Sequence, residues 1–119
     1  MVAVQRESLG TNVQLEVVDE APIRLPTEDL DQLYRIAQEA VSNARKHANA
    51  DTITVKLAVL ANAVRLEVVD DGAGLPSKAS TPNGLGLKIM RYRTSLIGAR
   101  LSIAAGDSCG TRLLCECAQ

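Results

Sequence analysis

From Leu30 to Ala48 the chain repeats apolar residues at helical spacing, with a polar line running beside them, so any fold must lay this helix on something. Leu30, Leu33, Tyr34, Ile36, Ala37, Ala40, Val41, Ala44 and Ala48 form the apolar face of an amphipathic helix. Glu39, Asn43 and His47 follow one another at i, i+4 and i+8. At about 100° per residue their line borders the apolar face rather than opposing it, which is where a cleft opens between a packed helix and solvent. Thr27 is placed as the N-cap, Glu28, Asp29 and Asp31 suit the positive end of the helix dipole, and the helix is predicted to end near Asn49.

The flanks supply the surface on which the helix rests. Val13, Leu15 and Val17 alternate with Gln14, Glu16 and Val18, a half-buried strand from about Asn12 to Asp19, with Val2–Glu7 pairing beside it. Glu20–Pro26 carries two prolines and reads as an extended connector. After the helix, Asp51–Leu60 and Ala63–Asp70 are rich in Val, Leu, Ile and Thr, and only Ala61-Asn62 separates them, so an antiparallel hairpin is predicted. Leu75–Asn83 has no periodicity and is predicted to be the most mobile loop. A second helix opens at Gly84, turns Leu87, Met90, Arg91, Thr94, Leu96 and Ile97 inward, and stops at Gly98. Arg100–Ala105 and Thr111–Cys117 are the last two strands, joined by the turn-rich Gly106–Gly110. This order predicts an α+β, two-layer α/β sandwich: a mixed, mostly antiparallel sheet with helices on one face.

With 119 residues the chain is read as one domain, 1–119, able to bury about two-thirds of its unfolded surface. Phe and Trp are absent, so the core must be built from Val, Leu, Ile and Ala. A net charge of -1 with mixed signs gives no reason to expect nucleic acid or an anionic membrane as partner. No apolar run approaches the ~20 residues of a membrane span, and no signal peptide is evident, so a soluble domain is expected. Cys109, Cys115 and Cys117 lack C-x-x-C spacing and are read as reduced, with Cys115 and Cys117 on one strand face in the core.

Glycine marks the remaining features. Gly84-Leu85-Gly86 has Ile89 where a dinucleotide fingerprint needs its third glycine, and no G-x-x-x-x-G-K-[ST] loop is present. The ordered combination is more specific: Glu39-x-x-x-Asn43 on a helix, Asp70-x-Gly72-x-Gly74 after a strand, Gly84-x-Gly86 opening the next helix, and Gly110-Thr111 opening a late strand. This set resembles the N, G1 and G2 boxes and terminal Gly-Thr of the Bergerat-fold ATP-binding domains. Leu33-Tyr34-Arg35-Ile36-Ala37-Gln38-Glu39-Ala40, Asn43-Ala44-Arg45-Lys46-His47-Ala48 and Gly86-Leu87-Lys88-Ile89-Met90-Arg91-Tyr92-Arg93 are similar to the catalytic domain of bacterial sensor histidine kinases, in the nitrate-responsive and thermosensing subfamily. The resemblance covers Leu30 to Cys117.

The resemblance implies an ATP site that uses Mg²⁺. Asp70 would accept a hydrogen bond from the exocyclic amine of adenine, with Gly72 and Gly74 letting the backbone close on base and ribose. Asn43 becomes the Mg²⁺ ligand, and Glu39 is either the general base or an orienting carboxylate, unless the base comes from the phosphoacceptor domain. Lys46 and His47 would meet phosphate, the alternative for Lys46 being an ordinary solvated helix lysine. Gly84, Leu85, Gly86 and Leu87 would hold phosphate oxygens at the start of the second helix, and Thr111 would lie near Asp70 and the base.

The implied function is donation of the γ-phosphoryl group of ATP to a histidine on a separate dimerisation domain, with a response regulator downstream. The only histidine here is His47, inside the nucleotide-binding helix. The chain therefore reads as a catalytic domain without its phosphoacceptor and sensor regions, inactive alone and a monomer, cytoplasmic or the cytoplasmic part of a membrane-bound sensor. The alternative is a stand-alone module similar to anti-sigma-factor serine kinases, binding a partner in a nucleotide-dependent way.

Overall fold

The computed structural model describes residues 3–8, 13–46, 51–72, 84–105 and 110–119, of which 3–8, 46, 84 and 85 are described by backbone alone. The order is β1 (Ala3–Ser8), β2 (Val13–Asp19), α1 (Thr27–Lys46), β3 (Ile53–Leu60), β4 (Ala63–Asp70), α2 (Gly84–Leu96), β5 (Arg100–Ala105) and β6 (Thr111–Ala118). The strands form one six-stranded sheet in the order β1-β2-β3-β4-β6-β5. Every pairing is antiparallel except β2 with β3, which are parallel because α1 carries the chain back between them. The expectation of a mixed, mostly antiparallel sheet under two helices holds.

The period of two sorts the sheet into two faces. Val13, Val55, Val59, Val64, Leu66, Val68, Leu113, Cys115 and Cys117 are buried toward the helices. Leu33, Ile36, Ala40 and Ala44 of α1 and Met90 of α2 meet them, and no aromatic ring contributes to this core. The opposite face is polar and carries two cross-strand ion pairs, Arg65–Glu116 at 2.9 Å and Arg112–Glu67 at 2.6 Å. Both pairs are solvent-exposed, where such contacts stabilise by less than about 1 kcal/mol each. Among the described residues no helix is long and apolar enough to cross a membrane.

Several boundaries and orientations differ from the sequence reading. The first α1 bond runs from the Leu30 N–H to Pro26 O, so Pro26 takes the capping position and Thr27 begins the helix. Tyr34, read as part of the apolar face, is 61% exposed, and its hydroxyl accepts a bond from Gln38 Nε2. On α2, Met90 and Thr94 are buried, whereas Arg91 is exposed and Leu96 is 51% exposed. Asp51 and Thr52 stop short of β3 because their N–H groups turn to a side chain instead of the ladder. Gly98 ends α2 with φ of +62°, as its C-terminal position predicts. The expected end of α1 near Asn49, the mobile loop Leu75–Asn83 and Cys109 lie outside the described residues.

At the closed end of the sheet, Gln119 bonds to four residues of two segments. Its N–H donates to Asn62 O, its Nε2 to Pro22 O and Leu60 O, and its Oε1 accepts from the Arg24 N–H. Arg24 also reaches Ala61 O at 2.6 Å. The connector into α1 is thereby attached to the β3–β4 turn.

Candidate functional site

The other end of the sheet gathers the motif residues, and the topology explains why. β4 ends at Asp70 beside Ile53 at the start of β3 and Thr111 at the start of β6. Val13, which opens β2, pairs with Ile53 on the same edge. Because α1 returns from the far end of β2 to the near end of β3, its second half, with Glu39 and Asn43, arrives at this edge. α2 starts there too, after the segment that leaves β4, and runs antiparallel to α1. Toward the far ends of the two helices Arg93 Nη1 donates to Gln32 Oε1 at 2.9 Å.

Two groups of predicted residues are brought together. In the first, Gly86 sits directly against Glu39 and Asn43: a Cβ on Gly86 would lie 2.6 Å from Glu39 Oε1, and 3.1 and 3.2 Å from Asn43 Oδ1 and Nδ2. Only a residue without a side chain lets the first turn of α2 approach these polar groups so closely. Glu39 and Asn43 are half-buried, at the border between core and solvent that their spacing predicts. Leu87, next in the chain, packs its side chain against the core.

The second group is the turn after β4. Asp70 continues the inward series Val64, Leu66 and Val68, so its carboxylate faces the helix layer, and it is only 8% exposed. Its Oδ1 accepts the Gly72 N–H at 2.9 Å. A buried carboxylate with one oxygen held by a backbone N–H is a fixed, directional acceptor. Gly110 packs on the same residue with φ of +83°, and a Cβ there would fall 1.9 Å from Asp70 O. Thr111 is the ladder partner of Asp70.

Of the remaining predicted residues, Lys46 is the last described residue of α1, and Gly84 and Leu85 open α2. His47 and Gly74 lie outside the described residues. Sequence reasoning missed Asp71, whose Oδ1 accepts the N–H groups of Asp51 and Thr52 at 2.9 and 2.8 Å. The only advance sign was a second carboxylate in Asp70-Asp71-Gly72, which a surface turn would equally carry. Among the described residues no three His, Cys, Asp or Glu side chains gather as a metal site. A groove of about 710 Å³ opens on the other flank of α1, lined by Val13, Leu15, Ala37, Val41 and Val55 together with Tyr34, Gln38, Ser42 and Arg45. Its walls are mixed, and neither residue group borders it.

Known proteins share this fold. The model of the family described as histidine kinase-, DNA gyrase B- and HSP90-like ATPase matches residues 28–117. The chain is 36% identical over 93 residues to the nitrate/nitrite sensor protein NarX of Escherichia coli (strain K12), covering 78% of this chain and 16% of NarX. It is 35% identical over 106 residues to the sensor protein VraS of Staphylococcus aureus (strain COL), covering 88% of this chain and 30% of VraS. Among solved structures, the Erythrobacter litoralis EL346 blue-light activated histidine kinase superposes with a TM-score of 0.68 at 25% identity, over 88% of this chain and 36% of that one. The ATP binding domain of PrrB from Mycobacterium tuberculosis shares the fold, with a TM-score of 0.63 at 21% identity over 87% of this chain and 76% of that domain.

Proposed function

Because the chain belongs to the histidine kinase-, DNA gyrase B- and HSP90-like ATPase family, we infer that residues 1–119 are an ATP-binding catalytic domain that donates the γ-phosphoryl group to a histidine on a separate dimerisation domain. The observation that carries the nucleotide reading is Asp70, buried at the end of β4 with its carboxylate oriented by the Gly72 N–H. An ionised carboxylate only accepts, so it matches the exocyclic amine of adenine and opposes the carbonyl that guanine presents there. Gly72 and Gly110, beside Asp70, keep side chains away from the base.

The cluster at the start of α2 fits the phosphate end. Asn43 offers a neutral oxygen to Mg²⁺, a cation that takes one or two protein ligands and completes its shell with phosphate and water. The lack of a denser acidic cluster among the described residues is compatible with that coordination. Mg²⁺ would neutralise phosphate charge, while Glu39 would orient the attacking group or take its proton. Gly86 leaves the N–H groups of the first α2 turn open to phosphate oxygens, with Lys46 and His47 following on from α1. As in other phosphoryl transfers, positioning and charge stabilisation would be the protein's share. NarX and VraS are sensor proteins several times longer than the matched region, which supports two-component signalling with a response regulator as the setting.

Calorimetric titration with a non-hydrolysable ATP analogue tests the reading. Binding should need Mg²⁺ for full affinity and exclude GTP. Asp70→Asn should weaken it about ten- to a hundredfold, the value of one hydrogen bond to a charged acceptor. A folded protein that ignores ATP, or one that binds GTP equally well, would refute the assignment.

A further inference from the structure

We propose that Asp71 is a positioning residue that holds the adenine-acceptor turn against the start of β3, an inference that rests on the nucleotide reading above. Regular β3–β4 pairing ends at Ile53 and Asp70. Beyond that point the two chains are joined by Asp71 instead. Its N–H donates to Thr52 O at 3.3 Å, and its Oδ1 accepts the N–H of Thr52 at 2.8 Å and of Asp51 at 2.9 Å. One residue thus grips a dipeptide nineteen and twenty positions earlier, in the segment that returns from α1 to the sheet.

The placement matters because Asp70 itself is held on three other sides. Ile53 and Thr111 flank it in the ladder, and Gly72 fixes Oδ1. The peptide between Asp70 and Asp71 is the remaining degree of freedom, and Asp71 closes it. Asp71 is exposed, so the amides of Asp51 and Thr52 would find water if its side chain were removed. Loss of Asp71 therefore costs little folding stability but frees the direction of the Asp70 carboxylate. The same contact sets the start of β3 relative to the helix bearing Glu39 and Asn43, so it also fixes the spacing between the base end and the phosphate end of the site.

The test compares this protein with its Asp71→Ala, Asp71→Asn and Asp71→Glu variants, titrated with non-hydrolysable ATP and GTP analogues, with amide exchange followed at Asp51 and Thr52. Asp71→Ala should weaken ATP about tenfold, narrow the preference over GTP by a similar factor and speed exchange at both amides, with little change in thermal midpoint. Asp71→Asn keeps an acceptor oxygen at the same distance and should stay within about threefold. Asp71→Glu keeps the charge but moves it by one methylene, so it should resemble alanine, and it serves as the geometric test if the alanine variant does not fold. Unchanged ATP affinity and selectivity in folded Asp71→Ala would overturn the proposal, as would a glutamate variant that binds like the unaltered protein. Failure of the unaltered protein to bind ATP would overturn the nucleotide reading and this one with it.

Discussion

Replacing Gly86 with alanine adds one methyl group where the first turn of α2 meets α1. The φ of Gly86 is not positive, so alanine meets no backbone penalty, and in a helix it is preferred to glycine by up to about 1 kcal/mol. The new methyl would stand 2.6 Å from Glu39 Oε1 and 3.1 and 3.2 Å from the two terminal atoms of Asn43. Ordinary contact requires Glu39 to retreat by roughly 1 Å and Asn43 by a few tenths of an ångström. Both are ends of adaptable side chains, so the strain is relieved by moving them rather than by separating the helices. The thermal midpoint should therefore shift by no more than a few degrees in either direction. Displacement of about 1 Å at a reacting group can cost a hundredfold in rate. Phosphotransfer to a supplied histidine-bearing helix pair should fall by that order, and the Mg²⁺-dependent part of ATP affinity by about tenfold. Calorimetry with and without Mg²⁺, beside a melting curve, separates the two effects. An alanine variant that melts far lower, or one that keeps full Mg²⁺-dependent binding, would refute the claim that Gly86 is there to admit Glu39 and Asn43.

Gly110→Ala should behave in the opposite way. Its φ of +83° costs an L-residue about 1–2 kcal/mol, and the added Cβ would overlap Asp70 O, which belongs to the backbone and cannot swing away. A loss of about 3 kcal/mol or more is expected in urea unfolding, and a loss below about 1 kcal/mol would contradict the packing described. Stability should also depend on pH through the buried thiols. Burial pushes Cys115 up, partly opposed by the Thr94 hydroxyl and reinforced by Cys117, and burial with Asp29 nearby pushes Cys117 up. A raised folded-state value stabilises fully below the unfolded thiol value and is lost as pH rises through the folded one. Unfolding free energy should thus decline above about pH 8.5. Cys115→Ala should flatten that decline, and equal slopes between pH 8 and 10 in both proteins would dispose of the argument.

Much of the fold was legible because period reports burial. Alternation placed β2 through β6 within a residue or two, and the helical repeat placed both helices. Partners were less legible: Val13, Leu15 and Val17 announce a buried face but not that β2 runs parallel to β3. Tyr34 was misjudged because an aromatic ring at an apolar position was read as core, whereas its side chain stands 61% exposed and its hydroxyl pairs with Gln38. Asp51 and Thr52 were read as strand because composition does not register that an acid twenty residues later takes their amides. The same blindness hid Asp71 from the site. The motifs did mark Glu39, Asn43, Asp70 and Gly86, since their spacing is local. That Gly86 touches the helix carrying Glu39 and Asn43, and that Gly110 rests on Asp70, are long-range contacts which no local spacing records.

The Gln119 clamp has a mechanical consequence. It welds the segment from Pro22 to Arg24 to the β3–β4 turn, so the start of α1 cannot move independently of the closed end of the sheet. From there α1, 20 residues long, carries Asn43 about 24 Å at helical rise to the open edge. A helix anchored at its base behaves as a stiff boom, and torque applied near Glu20 turns sheet and helix as one body instead of dissipating in the connector.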